Sequence, residues 1–202
     1  MKNKSFKEET IMGKLKGTET EKNLLASFAG ESQARNRYTY FASVAKKEGY
    51  EQISGIFQET ADNEKEHAKR FFKLLEGGEV EIQASYPAGV IGDTAQNLKA
   101  AADGEHMEWG TLYKDAAGVA RKEGFENVAA QFDEIAKVEK HHEERYLKLL
   151  ENLKNGSVFK KDQQVTWHCR NCGYVLEGTE APKKCPACDH PQSFFQLKAN
   201  NY

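Results

Sequence analysis

Two stretches of this chain match each other at an offset of 75 residues, and both carry the same anomaly at the same place. "YTYFASVAKKEGYEQISGIFQETADNEKEHAKRFFKLLEGG" aligns with "YKDAAGVARKEGFENVAAQFDEIAKVEKHHEERYLKLLENL". At helical spacing the first unit places Ile53, Phe57, Thr60, Glu64, His67, Phe71 and Leu74 on one line. The second places Val128, Phe132, Ile135, Glu139, His142, Tyr146 and Leu149 there. Apolar residues hold both ends of each stripe, and a glutamate and a histidine hold its middle. Residues three apart share a helix face, so each Glu-x-x-His pair points into the seam the helix must bury. One polar interruption is a common register device. A duplicated one at matched register calls for a ligand.

Each unit reads as a helix, a Lys-Glu-Gly turn at Gly49 or Gly124, and a second helix. Between the units lies "GGEVEIQASYPAGVIGD" (77–93), too long and too rich in Gly and Pro for a simple bundle turn. It is expected to cross from one end of the molecule to the other. Two helical hairpins joined by one long crossover make a ferritin-like four-helix bundle, so the predicted class is mainly α over residues 19–155. Residues 1–18 are polar and aperiodic and read as a loose extension, with Met12 an alternative start.

Other helices add carboxylates to the same interior. The first aligns Leu24, Phe28, Glu31 and Tyr38; the third aligns Leu98, Glu105, Glu108 and Leu112. Glu31, Glu64, Glu105, Glu108 and Glu139, with His67 and His142, thus converge on one centre. An isolated buried carboxylate is costly and would protonate instead, and several together repel. Multivalent cations neutralise them. Hard oxygens with a few imidazoles suit iron or manganese better than calcium or copper, and this ligand pattern is that of di-iron and di-manganese carboxylate bundles. A single Glu-x-x-His is ordinarily a solvated pair; Glu66, Glu143, Glu144, His106 and His141 are expected to be such bystanders, and no role is read for Trp109. Gly30-Glu31 matches Gly104-Glu105 at an offset of 74, whereas Tyr38 and Tyr113 match at 75. One residue is therefore inserted between Glu105 and Tyr113, which predicts a π-bulge in the third helix.

A polar linker (156–164) leads to a tail, 165–202, that holds all four cysteines in two Cys-x-x-Cys pairs. Cys169, Cys172, Cys185 and Cys188 form a tetrahedral thiolate site for zinc or a single iron. The spacing does not choose between them. So small a segment would owe its folding to the metal. Trp167, Tyr174, Phe194 and Phe195 are its expected core aromatics. No apolar run is long enough to span a membrane, and the polar N-terminus lacks a secretory h-region, so a cytoplasmic protein is expected. A net charge of −2 disfavours nucleic acid as a partner.

"FAGESQARNRY", "ETADNEKEHAKR", "GEHMEW", "VEKHHEER", "CRNCGY" and "CPACDHP" together resemble rubrerythrin, a ferritin-like di-iron bundle with a rubredoxin-like tail. The resemblance implies a non-haem peroxidase that reduces hydrogen peroxide to water in oxidative-stress defence. It implies two iron ions in the bundle bridged by Glu64 and Glu139. Glu31 and Glu108 would bind the first ion, and Glu105 and His142 the second; His67 would replace Glu108 on reduction. Tyr38 and Tyr113 would hydrogen-bond the carboxylates, or serve simply as core aromatics. It further implies one iron on the cysteines, replaceable by zinc, an external reductase fed by a nicotinamide nucleotide, and a head-to-tail homodimer. Iron oxidation and storage is the alternative, though the tail is superfluous to it. A di-iron oxygenase and a zinc-stabilised binding module are further readings.

Overall fold

The computed structural model describes residues 14–201. The first thirteen residues of the expected extension, Met12 among them, lie outside the described residues. Its last part, 14–18, is not loose: Leu15 is buried in the bundle core, and the Leu15 and Lys16 amides donate to the Glu76 carboxylate.

Among the described residues, five α-helices build four bundle rods: α1 (Glu19–Lys47), α2 (Glu51–Phe72), α3 (Thr94–Met107), α4 (Tyr113–Lys122) and α5 (Glu126–Lys154). Helices α3 and α4 are one rod joined through a π-helical turn, Glu108–Leu112, in which the Tyr113 amide donates to the Glu108 carbonyl five residues back. This is the bulge expected from the one-residue change of offset. It has one consequence the sequence pattern missed. Leu112, expected on the buried line, is half exposed, because the extra residue rotates it off the core face.

The hairpin turns are twins. Gly49 and Gly124 have φ of 84° and 85°, a left-handed conformation that a Cβ would strain. Around them Tyr50 N–H donates to the Ala45 carbonyl and Phe125 N–H to that of Ala120, closing the same helix C-terminal motif twice. The glutamate of each turn then caps the other hairpin. Glu123 accepts from the Glu19 and Thr20 amides at the start of α1, and Glu48 accepts from the Thr94 amide at the start of α3. A carboxylate at a helix N-terminus satisfies free amides and complements the dipole, so these two contacts tie the hairpins together.

The bundle core is split into two apolar layers. One end packs Tyr38, Phe41, Ile53, Phe57, Leu98 and Tyr146. The other packs Leu24, Phe71, Tyr113, Val128, Phe132 and Ile135. Between them lies a polar layer made by the middles of all four rods. Burying each aromatic contributes about 1.5–3 kcal/mol, so the layers clamp the polar level from both sides. The crossover runs exposed along the bundle and is pinned where Tyr86 donates to the Ala26 carbonyl.

The tail forms a three-stranded antiparallel sheet in the order β2-β1-β3, from β1 (Lys160–Cys169), β2 (Val175–Glu180) and β3 (Phe195–Leu197). Strand β1 starts inside the stretch expected to be linker, since Lys160 pairs with Glu180. Its polar side chains mislead because backbone pairing on an exposed face does not require apolar ones. Trp167 and Phe195 are fully buried at its core, with Tyr174 and Phe194 packed against them. The tail rests on α2 of its own chain, where Phe159 stacks on Tyr50 and the Arg170 guanidinium lies against Gly55. None of the described helices is long and apolar enough to cross a membrane.

Candidate metal centres

The polar layer holds two overlapping groups of donors. Glu31, Glu64, His67 and Glu139 offer ligand atoms all within 4.8 Å of one another, and so do Glu64, Glu105, Glu139 and His142. Glu64 and Glu139 belong to both. Each comes from the second helix of a hairpin, and the Glu-x-x-His spacing carries a histidine of the same helix to one side. Glu31 on α1 completes the first group and Glu105 on α3 the second. Among the seven residues singled out by sequence, Glu108 is the one outside both. It opens the π-turn and lines a cavity of about 610 Å³ between the bundle and the crossover, together with Arg37, Tyr86 and Tyr113.

The donors fit cations better than they fit one another. Glu31 Oε2, Glu64 Oε1, Glu105 Oε2, both oxygens of Glu139 and His142 Nδ1 are buried without a hydrogen-bond partner. Buried carboxylate oxygens left so carry a penalty of several kcal/mol unless a charge meets them. The imidazole of His142 comes within 2.8 Å of Glu139 Oε2, yet its alignment makes no hydrogen bond. Its other nitrogen, Nε2, lies 3.3 Å from Asn63 Oδ1. An Nε2–H donated there leaves the Nδ1 lone pair aimed into the layer, as a metal ligand requires. Asn63 was not found from the sequence; its place one residue before Glu64 was the only available signal.

Two tyrosines brace the carboxylates crosswise. Tyr38 of the first hairpin donates to Glu105 Oε1 of the second at 2.7 Å, and Tyr113 of the second donates to Glu31 Oε1 of the first. Both hydroxyls are thus engaged with the donor groups rather than idle in the core.

Protons are the alternative to cations in this layer. Burial opposes charge on His67, but Glu139 and Glu64 outweigh it and raise its pKa to about 10. His142 is raised to about 12 by Glu105, Glu139 and Glu64, again against burial. Burial and the Glu64 charge push Glu105 up to about 8. Glu31 and Glu108 are driven well above the usual carboxylate range by burial and neighbouring carboxylates. Glu64 alone moves down, to about 2, because the two imidazoles overcome its burial. A group raised in the folded chain contributes stability in full below its unfolded pKa and loses it as pH climbs through the folded value. His67, His142, Glu31, Glu105 and Glu108 act in that sense, the loss running from the carboxylate reference of 4.5 through the His67 value near 10 and, for His142, on toward 12. Metal-stripped protein should therefore melt on the order of 5–10 °C lower at high than at mildly acid pH. Iron-loaded protein should show a flatter or opposite slope, since cations require deprotonated ligands. Scanning calorimetry of both forms between these limits checks the sign.

The second centre is in the tail. The four cysteines form no disulfide, and their sulfurs lie within 4.8 Å of one another. Cys169 and Cys188 are 3.8 Å apart and Cys172 and Cys185 3.7 Å. A tetrahedron with metal–sulfur bonds of about 2.3 Å has edges of about 3.8 Å, so the spacing is that of a filled thiolate site. The two knuckles share one geometry. Cys169 N–H donates to the Tyr174 carbonyl and Cys185 N–H to that of His190, each at 2.8 Å. After the second cysteine of each, Gly173 and Asp189 turn the chain at φ of 80° and 62°.

Comparison with known proteins agrees over both parts. The family model described as Rubrerythrin matches residues 22–150, and that of the rubrerythrin rubredoxin-like domain matches 167–196. A rubrerythrin of Porphyromonas gingivalis is 61% identical over 199 residues, covering 98% of this chain and 100% of the relative. One of Nitratidesulfovibrio vulgaris is 56% identical over 191 residues, covering 95% and 100%. Among solved structures, nigerythrin in its fully reduced, all-ferrous state superimposes with a TM-score of 0.57 at 28% identity, covering 98% of this chain and 100% of that one.

Proposed function

Because the chain belongs to the rubrerythrin family, with a di-iron bundle and a rubredoxin-like tail, we propose that it reduces hydrogen peroxide to water in the cytoplasm. The observation that carries this reading is the sharing of Glu64 and Glu139 between two four-donor groups, on a chain that also bears a four-thiolate centre. Peroxide needs two electrons and two protons to become two waters. Two ferrous ions, when bound, supply those electrons as a pair and avoid a radical product.

The chain's own residues do the rest. Glu64 and Glu139, common to both donor groups, would be shared between the two ions. Glu31 and His67 would hold the first and Glu105 and His142 the second, while the Tyr38 and Tyr113 hydroxyls keep two of the carboxylates in place. Glu108 would replace His67 as a ligand when ferric iron is held at the first position, because an anionic oxygen suits ferric iron and a neutral imidazole ferrous iron. His67 stands among the donors of the first group while Glu108, a residue of the cavity lining, does not, and this supports reading the two as alternatives at that position. Glu108 is a residue of the cavity lining, and its carboxyl, raised by burial and the neighbouring carboxylates, can hold a proton for a departing peroxide oxygen. Cys169, Cys172, Cys185 and Cys188 would hold an iron, a one-electron carrier suited to relay electrons from an external NAD(P)H-linked reductase. We assign the working unit as a head-to-tail homodimer.

Mixing anaerobically reduced, iron-loaded protein with peroxide or with dioxygen tests the reading. Peroxide should reoxidise the bundle at least about tenfold faster than dioxygen. The reverse order would instead favour iron oxidation and storage.

A further inference from the structure

Three side chains just outside the metal layer are tied together, and each follows a metal-site residue directly in sequence: His106 after Glu105, Trp109 after Glu108, and Glu143 after His142. Glu143 Oε2 accepts from Trp109 Nε1–H at 2.6 Å, and His106 Nδ1 lies 3.1 and 3.2 Å from the two Glu143 oxygens. The Trp109 ring meets the His106 ring edge-on at 5.1 Å, and Lys140 Nζ sits 5.6 Å over it. The Glu143 side chain is only 15% exposed, so this is a largely buried carboxylate with two N–H partners and not a solvated bystander. The contact crosses from the π-turn to α5.

That crossing matters because, among the described residues, it is the only side-chain hydrogen bond made by Glu108–Leu112. None of Glu108–Leu112 is fully buried, and the regular hydrogen-bond ladder is stretched there by the extra residue. A charge-assisted bond from its second residue to α5 therefore governs where its first residue, Glu108, points. We propose that Trp109, Glu143 and His106 form a positioning clamp that holds the π-turn on α5 and biases Glu108 between the cavity and the first metal position. The clamp rests on the proposed exchange of Glu108 with His67. The three residues touch neither metal nor peroxide; they act through Glu108.

Full-length iron-loaded protein carrying Trp109→Phe, Glu143→Leu or Glu143→Gln tests this. Trp109→Phe removes the donor and keeps a ring, Glu143→Leu removes the acceptor, and Glu143→Gln keeps an acceptor oxygen in place. Amide exchange in residues 108–112 should quicken about tenfold in the first two, the consequence of one lost hydrogen bond, with Glu143→Gln close to the parent. The Mössbauer spectrum of the oxidised protein should gain a second environment for one iron in the same two variants, and iron content should hold. Unchanged amide exchange overturns the clamp. Faster exchange with an unaltered spectrum also overturns it, since the contact would then be merely structural. Both readouts are independent of peroxide turnover, so failure of the peroxidase reading appears separately, as inactivity of the parent protein.

Discussion

Replacing Glu139 with alanine should empty the bundle of both its iron ions and leave the tail's metal in place. Glu139 is fully buried, belongs to both donor groups, and neither of its oxygens has a hydrogen-bond partner. Its loss takes one of four donors from each position at once. Residues that merely orient metal ligands cost about 10–100-fold when removed, so a shared ligand should cost at least about a hundredfold in peroxide reduction. Iron content should fall by two per chain. The helices should survive, because two apolar layers flank the site and one fewer carboxylate relieves repulsion within it. Replacing the exposed Glu66, whose partner is the equally exposed Lys69, should change neither iron content nor turnover.

Cys185→Ser should separate the two halves of the function. Cys185 is buried in the small tail core, which offers little apolar area beyond Trp167 and Phe195. A unit of this size depends on its metal for folding, so losing one thiolate should expose the amides of β1, β2 and β3 to exchange while the helices keep theirs. The oxidised iron tetrathiolate colour should vanish. A bundle reduced in advance should still react once with peroxide at close to the parent rate. Multiple turnover through a reductase should drop by at least about a hundredfold, because the proposed entry point for electrons is lost with the metal. Equal loss of the single-turnover rate would mean that the tail shapes the di-iron site and does not simply feed it.

Much of this was legible in the sequence because helical metal sites write themselves at fixed spacing. Ligands three apart on two duplicated helices leave a polar gap in each apolar stripe, and Glu64, His67, Glu139 and His142 appear there directly. The π-turn was legible for the same reason, since a register change from 74 to 75 has few physical meanings inside a helix. What was hidden depends on contacts between rods. Glu48 and Glu123 occupy matched positions in the repeat, yet their capping of the opposite hairpin requires knowing how the hairpins dock. Glu143 read as a surface residue because its counterpart in the first unit, Ala68, gives no hint of a polar role. Glu108 was placed among the converging carboxylates by its spacing from Glu105, and only the geometry leaves it outside both donor groups. The start of β1 was missed because Lys160 pairs with Glu180 through its backbone and the polar residues up to Val165, where the register shifts, leave no apolar trace.

Anomalous diffraction at the iron edge from crystals of the reduced, iron-loaded protein addresses the central claim most directly. Two peaks should lie within the bundle, each contacting both Glu64 and Glu139, one beside Glu31 and His67 and the other beside Glu105 and His142, with a third peak among the cysteines. A single bundle peak, or none while the cysteine site is filled, would contradict a paired site built on shared carboxylates.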